Sequence, residues 1–284
     1  MPIQYAARTS TLSKKWRRIW SNQPHLVFDC HFFQFVSENG VSATSIIHRI
    51  LMQHNGPIRG FHLISEGHIL AQSDIDPCLI FVSKHGIEKL TLDLANDEKY
   101  ALPCSIFTCS TLTDLKLSRC FLKPRRHTTF PNLVSLQLEH TEFACGLLGD
   151  TLILPRLETL EFRFCSQVYL GIMASPKLKN FSIISSHTIT FRCFNVNPMF
   201  KSITHLCLDG TSLTTFGWVS VLKRLVEPFN LQSLKIFDLR ISVETISCAL
   251  CLLRSSPNLY ELDIDEAVKV DETSTQSQTT ELSS

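Results

Sequence analysis

Glycine is scarce in this sequence, at 10 of 284 residues. Folds that cradle phosphates in glycine-rich turns have little here to build them from. There is no G-x-x-x-x-G-K-[ST] loop, no G-x-S-x-G elbow and no H-E-x-x-H helix, so no catalytic constellation stands out and no cofactor or metal is expected. No apolar run reaches the roughly 18 residues of a membrane span. Residues 1–20 hold no acid and no apolar core of the kind a secretory signal needs. An excess of one charge is missing too. Lys plus Arg is 27 and Asp plus Glu is 26, which gives no general attraction to nucleic acid. At 44% hydrophobic and 19% charged residues, the chain is too apolar to be disordered over most of its length.

Phenylalanine (19) and cysteine (11, an odd number) are plentiful. Without export, thiols stay reduced. The cysteines are therefore expected to act as small buried apolar residues in a cytoplasmic or nuclear protein. The one C-x-x-C, Cys248 to Cys251, lies in a helical stretch with no second ligand pair nearby, so it reads as core in preference to zinc or redox chemistry.

A pattern L-x-x-L-x-L, with Ile or Phe substituting, recurs nine times, from Ile58-Phe61-Leu63 to Leu259-Leu262-Ile264. Between middle residues the spacings are 29, 25, 21, 24, 21, 25, 28 and 28, within the range of leucine-rich repeats. Two units, Leu112 to Cys120 and Leu157 to Cys165, extend to the asparagine-or-cysteine position of such repeats. In x-L-x-L-x the side chains alternate as in a short strand, and one unit alone cannot bury its leucines. The expected fold is α/β: a leucine-rich-repeat solenoid with a curved parallel sheet of about nine short strands and an irregular or helical convex side. A doubly wound α/β domain also alternates strands and helices, but these units are too close together for full crossover helices. Thr44–Gln53 and Val243–Arg254 read as helices.

The two ends differ from the middle. Leu12, Trp16, Ile19 and Trp20 fall at helical spacing with Lys14, Lys15, Arg17 and Arg18 between them. That stripe either caps the solenoid or docks another protein. The basic residues, like the cluster Lys123, Arg125, Arg126 and His127, form short patches in a neutral chain and read as solvated faces; no nucleic-acid or membrane partner is expected. From Asp271 the tail has no aromatic residue and one Leu, so it is expected to be disordered.

The stretch AARTSTLSKKWRRIW followed by PHLVFD resembles the second half of an F-box, in particular that of plant proteins combining F-box, leucine-rich repeats and an FBD region. HNGPIRGFHL from His54, LPCSIFTCSTLTDLKLSRCFLKP from Leu102, FPNLVSLQLEH from Phe130 and LLRSSPNLYELDI from Leu252 are similar to that family in order. The resemblance implies a partial F-box and linker over residues 1–29, a solenoid with FBD-like last repeats over 30–265, and an acidic or polar tail over 266–284. F-boxes of this family open with an acidic stretch, a Leu-Pro pair and a first helix. With Met1-Pro2 at the start, that first half is expected to be missing.

The implied function is that of a non-catalytic substrate-recognition subunit of an SCF-type ubiquitin ligase. Leu12, Trp16, Ile19 and Trp20 would contact a Skp-type adaptor. The strand residues beside the leucines would face a target protein of unknown identity: Lys89, Asp93, Asp114, Lys116, Gln137, Glu139, Glu161, Arg163, His205, Asp209 and Lys235. The alternative is a stand-alone repeat module that binds a protein without the adaptor.

Overall fold

The computed structural model describes residues 21–65, 67–95, 99–123, 128–143, 152–166, 168–169, 173–186, 189–190, 201–215, 228–239 and 241–266. Ten strands form one sheet: β1 (His25–Phe28), β2 (Gly60–Ile64), β3 (Lys89–Asp93), β4 (Asp114–Ser118), β5 (Ser135–Glu139), β6 (Thr159–Arg163), β7 (Asn180–Ile184), β8 (His205–Asp209), β9 (Ser233–Leu239) and β10 (Glu261–Glu266). They lie side by side in chain order, and every neighbouring pair is parallel. Consecutive parallel strands in sequence order are what a repeat solenoid produces, because each unit buries its apolar row only against its neighbours. A doubly wound sheet would instead reverse its strand order at a switch point.

The register places middle leucine on middle leucine throughout. Leu90 pairs with Leu115, Leu115 with Leu136, Leu136 with Leu160 and Leu160 with Phe181. In the first eight of the nine units these residues are at most 4% exposed. Phe162 and Phe181 meet edge to face, with centroids 6.4 Å apart. The last unit differs. Leu262 and Ile264 are 48% and 42% exposed, because no strand beyond β10 covers them among the described residues.

Repeat length decides what fills the convex side. The 28–29-residue spacings carry helices: α3 (Gln72–Lys84) between β2 and β3, α5 (Gly210–Thr215) after β8 and α6 (Val243–Arg254) between β9 and β10. The spacings of 21–25 leave room for less. They hold two- and three-residue strands such as Thr128–Thr129, Leu152–Ile153 and Met173–Ala174, which ladder together, and the one-turn α4 (Cys104–Phe107). Ahead of β2 the gap is longer and holds α1 (Cys30–Glu38) and α2 (Ala43–Met52). Both expected helices therefore form. Each starts at a serine: Ser42 caps α2 through the Ser45 amide, and Ser242 with Thr245 forms a reciprocal capping box on α6.

Strand β1 is a tenth strand where nine were expected. Its Leu26 and Phe28 are 2% and 0% exposed, so the sheet begins inside the segment read as F-box and linker.

Where β4 to β7 end, and at the register shift inside β9, the chain turns through a left-handed residue. Arg119, His140, Phe164, Ser185 and Asp238 have φ between 48° and 56°. Such a conformation costs a non-glycine residue on the order of 1–2 kcal/mol, and a hydrogen bond to the neighbouring unit offsets it. The amides of Arg119, His140 and Phe164 each donate at 2.9 Å to the carbonyl that ends the next strand: Glu139, Arg163 and Ile184. One residue further lies a buried polar ladder, Cys120, Thr141, Cys165 and Ser186, all 0% exposed. Thr141 Oγ1 donates to the Leu117 carbonyl and Cys165 Sγ to the Leu138 carbonyl of the preceding unit. The expected burial of Cys120 and Cys165 is thus given a job: small donors there satisfy carbonyls freed where strands end. Burial pushes both thiols up, to about 12 and about 11, which keeps them neutral.

Candidate functional site: the concave face

Alternation along a five-residue strand sends its second and fourth residues into the core and its first, third and fifth to the open face. Parallel register then stacks equivalent residues into rows across the sheet. The central row runs His62, Thr91, Lys116, Gln137, Glu161, Ser182, Cys207, Lys235 and Asp263. A second row, from the strand starts, includes Lys89, Asp114, Ser135, Thr159, Asn180, His205, Ser233 and Glu261. A third, from the strand ends, includes Asp93, Ser118, Glu139 and Arg163.

Ten of the eleven residues expected on this face are there, exposed or half-buried: Lys89, Asp93, Asp114, Lys116, Gln137, Glu139, Glu161, Arg163, His205 and Lys235. Asp209 is the exception. It is 4% exposed, and its carboxylate accepts from the Ser185 amide and hydroxyl and from the Ser212 amide. The cause is local. Strand β8 runs straight into α5, so the carbonyl that would serve the Ser185 amide is replaced by the Asp209 side chain, which also caps the helix. Asp209 belongs to the frame and not to the binding face. Leu12, Trp16, Ile19 and Trp20 lie outside the described residues, as do Arg125, Arg126 and His127.

The face neutralises much of its own charge, across strands and within β6. Lys89 faces Asp114 at 3.7 Å, Arg119 faces Asp93 at 2.8 Å, Lys235 faces Asp263 at 2.6 Å, and Arg163 bonds Glu161. Exposed pairs of this kind contribute about 0–1 kcal/mol. They do little for stability, but they define which charges a partner meets unmatched. Lys116 and Glu139 have no ion-pair partner among the described residues. The Asp263 carboxylate holds the Lys235 ammonium above the ordinary lysine value.

Two shallow hollows indent the face and share Glu161. One hollow is lined by short side chains, Ser182, Cys207 and Ser233, which the alternation of the strands also places on this face. Aligning the units on their middle leucine exposes that signal, since Ser182 and Cys207 interrupt a row of longer residues. No group of three or more metal-ligating side chains occurs among the described residues. The Cys248–Cys251 pair sits on α6, with Cys248 buried and Cys251 half-buried against the core.

Two histidines near the start of the solenoid tie its stability to pH. His54 is 9% exposed, and its Nε2 has no hydrogen-bond partner among the described residues. Burial, with His85 nearby, lowers its pKa. His62 is lowered by burial first and then by His25 and Lys89. A lowered base binds its proton more readily in the unfolded chain, so stability is complete above the ordinary histidine value of 6.5 and falls as pH drops below it. Urea midpoints should hold steady from pH 8 to 7 and decline toward pH 5, with a shallower decline in His54→Gln. A midpoint independent of pH over that range would contradict the assignment.

The face invites comparison with known proteins. A family model described as "FBD-associated F-box protein At5g56370, LRR repeats" matches residues 76–196. The Arabidopsis thaliana F-box/FBD/LRR-repeat protein At1g13570 is 36% identical over 179 residues, 61% of this chain and 42% of that protein. The putative F-box/FBD/LRR-repeat protein At4g13965, also from Arabidopsis thaliana, is 26% identical over 269 residues, 90% of this chain and 60% of that protein. Through its repeats, the chain is similar to plant F-box/FBD/leucine-rich-repeat proteins. It spans about half the length of the curated relatives it matches. The region matched by the family model holds β3 to β7 of the concave face.

Proposed function

We propose that this F-box/leucine-rich-repeat chain is a substrate-recognition subunit of an SCF-type ubiquitin ligase, acting in the cytoplasm or nucleus. Its concave face would hold a target protein, and the segment containing Leu12, Trp16, Ile19 and Trp20 would engage a Skp-type adaptor. The observation that carries the reading is the unbroken ten-strand sheet, whose open face offers rows of mixed-sign side chains on a rigid backbone. Such a face suits a polar protein surface better than a ligand of one charge. On this reading the chain performs no chemistry of its own. It raises the local concentration of target lysines near a ubiquitin-loaded enzyme, and the gain comes from proximity.

The test is co-purification with a plant Skp-type adaptor, using this 284-residue chain and a version preceded by the complete F-box of a relative. Capture by both is expected. Capture only after the addition would make this chain a stand-alone binding module, and capture by neither would overturn the reading. Joint replacement of Trp16 and Trp20 by alanine should cut adaptor capture at least tenfold while leaving the urea midpoint unchanged. A lower midpoint with capture intact would assign the tryptophans to capping the solenoid.

A further inference from the structure

The two hollows of the concave face are equal in size and opposite in character. The one over β4–β6 encloses about 280 Å3, is walled by Lys116, Gln137, Glu139 and Arg163, and exposes mainly polar atoms. The one over β6–β9 encloses about 270 Å3 and exposes mainly apolar atoms. Its walls are Ser182, Cys207 and Ser233, short enough to leave a recess over the strand backbone at Phe181 and Leu206, whose side chains turn into the core. Glu161 closes one end and Lys235 the other, three strand spacings or about 14 Å apart.

We propose, resting on the concave-face reading above, that the β6–β9 hollow seats one neutral aromatic side chain of the target, a tryptophan or tyrosine, as the anchor of binding. At about 270 Å3 and open to solvent, the hollow lies below the usual size of small-molecule sites, which enclose about 300–1,000 Å3 and bury most of the ligand. The volume suits a single large side chain. Charge then selects its kind. Both end charges are already paired, Glu161 with Arg163 and Lys235 with Asp263, so a charged guest finds no unmatched counter-ion to offset its lost hydration. The Ser182 side chain already bonds the Cys207 thiol, whereas an aliphatic side chain would cover the Ser233 hydroxyl without offering it a partner.

A neutral ring with a polar edge fits both ends. Arg163 holds Oε1 of Glu161, which leaves Oε2 to accept from an indole N–H or a phenol O–H. At the far end the Lys235 ammonium already lies 4.9 Å from the Phe237 ring centroid, so a second ring face extends an existing cation–π arrangement. Aromatic anchors in small, central, desolvated pockets are also where protein interfaces concentrate their energy. The neighbouring polar hollow, with Lys116 and Glu139 unmatched, would receive a charged or amide side chain a few residues away on the same target segment.

The experiment selects displayed, randomised dodecapeptides on the full chain and measures the enriched peptides against variants. Expected are peptides that share a tryptophan or tyrosine, shield the Cys207 thiol from alkylation as read by mass spectrometry, and lose about 30-fold in affinity on Cys207→Trp, which fills the hollow. Cys207→Ser should bind as the wild type does. Cys207→Trp must keep the wild-type urea midpoint; if it does not, Ser233→Trp takes its place. Peptides without an aromatic residue, or with affinity unchanged on Cys207→Trp yet lost on Lys116→Glu, would overturn the anchor while leaving the concave face as the docking surface. Peptides sensitive to neither substitution, or no enrichment at all, would overturn both.

Discussion

Replacing Asp209 with alanine is expected to destabilise the chain by roughly 2–4 kcal/mol, a large effect for a residue that touches no partner. Its carboxylate is buried at 4% exposure and accepts three hydrogen bonds, from the Ser185 amide at 2.9 Å, the Ser185 hydroxyl at 3.2 Å and the Ser212 amide at 2.9 Å. Alanine leaves two backbone donors in or near the core without acceptors, and an orphaned buried donor costs about 1–3 kcal/mol. Asp209→Asn should be intermediate, since one carboxylate oxygen gives way to an amide donor that faces a donor. Solenoids lose stability locally because each unit contacts only its neighbours. Amide exchange should therefore quicken most in β7, β8 and β9 and least in β2 and β3. A wild-type urea midpoint in Asp209→Ala, or a loss of protection spread evenly along the sheet, would remove Asp209 from the frame.

That residue also marks the limit of what the sequence conveys. The repeat register was legible because L-x-x-L-x-L encodes burial directly, and burial is what aligns the strands. Strand β1 escaped because Gln23, not an aliphatic residue, stands three positions before Leu26. Helix α3 buries Ile75, Cys78, Leu79 and Val82 at helical spacing, but Pro77 interrupts the run. The left-handed turns were illegible for a different reason. Glycine is the usual marker of positive φ, and this glycine-poor chain places Arg119, His140, Phe164, Ser185 and Asp238 there instead. Only cross-unit hydrogen bonding reveals them. Asp209 looked like one more polar residue beside a leucine, because the alternation rule cannot see that β8 continues into a helix. The hollow was illegible for a related reason: short residues make a recess only once the strands stand side by side.

Phe181→Ala is expected to have the largest effect of any single substitution in the sheet, about 3–5 kcal/mol. The ring is 1% exposed, meets Phe162 edge to face and lies between Leu160 on β6 and Leu206 on β8 in the register. Removing it leaves a cavity that close-packed neighbours on both sides cannot close, so the cost includes lost contacts as well as lost burial. The ring lies on the core side of the sheet, opposite the β6–β9 hollow, which allows core packing and target binding to be separated. Phe181→Leu keeps most of the volume and should cost less than about 1.5 kcal/mol. If the hollow seats an aromatic anchor, peptides selected on the wild type should still bind Phe181→Leu under conditions where it is folded, with a loss smaller than that of Cys207→Trp. A Phe181→Ala chain with the wild-type urea midpoint would mean that β6 and β7 are not packed as the register requires, and the floor of the hollow would have to be redrawn with them.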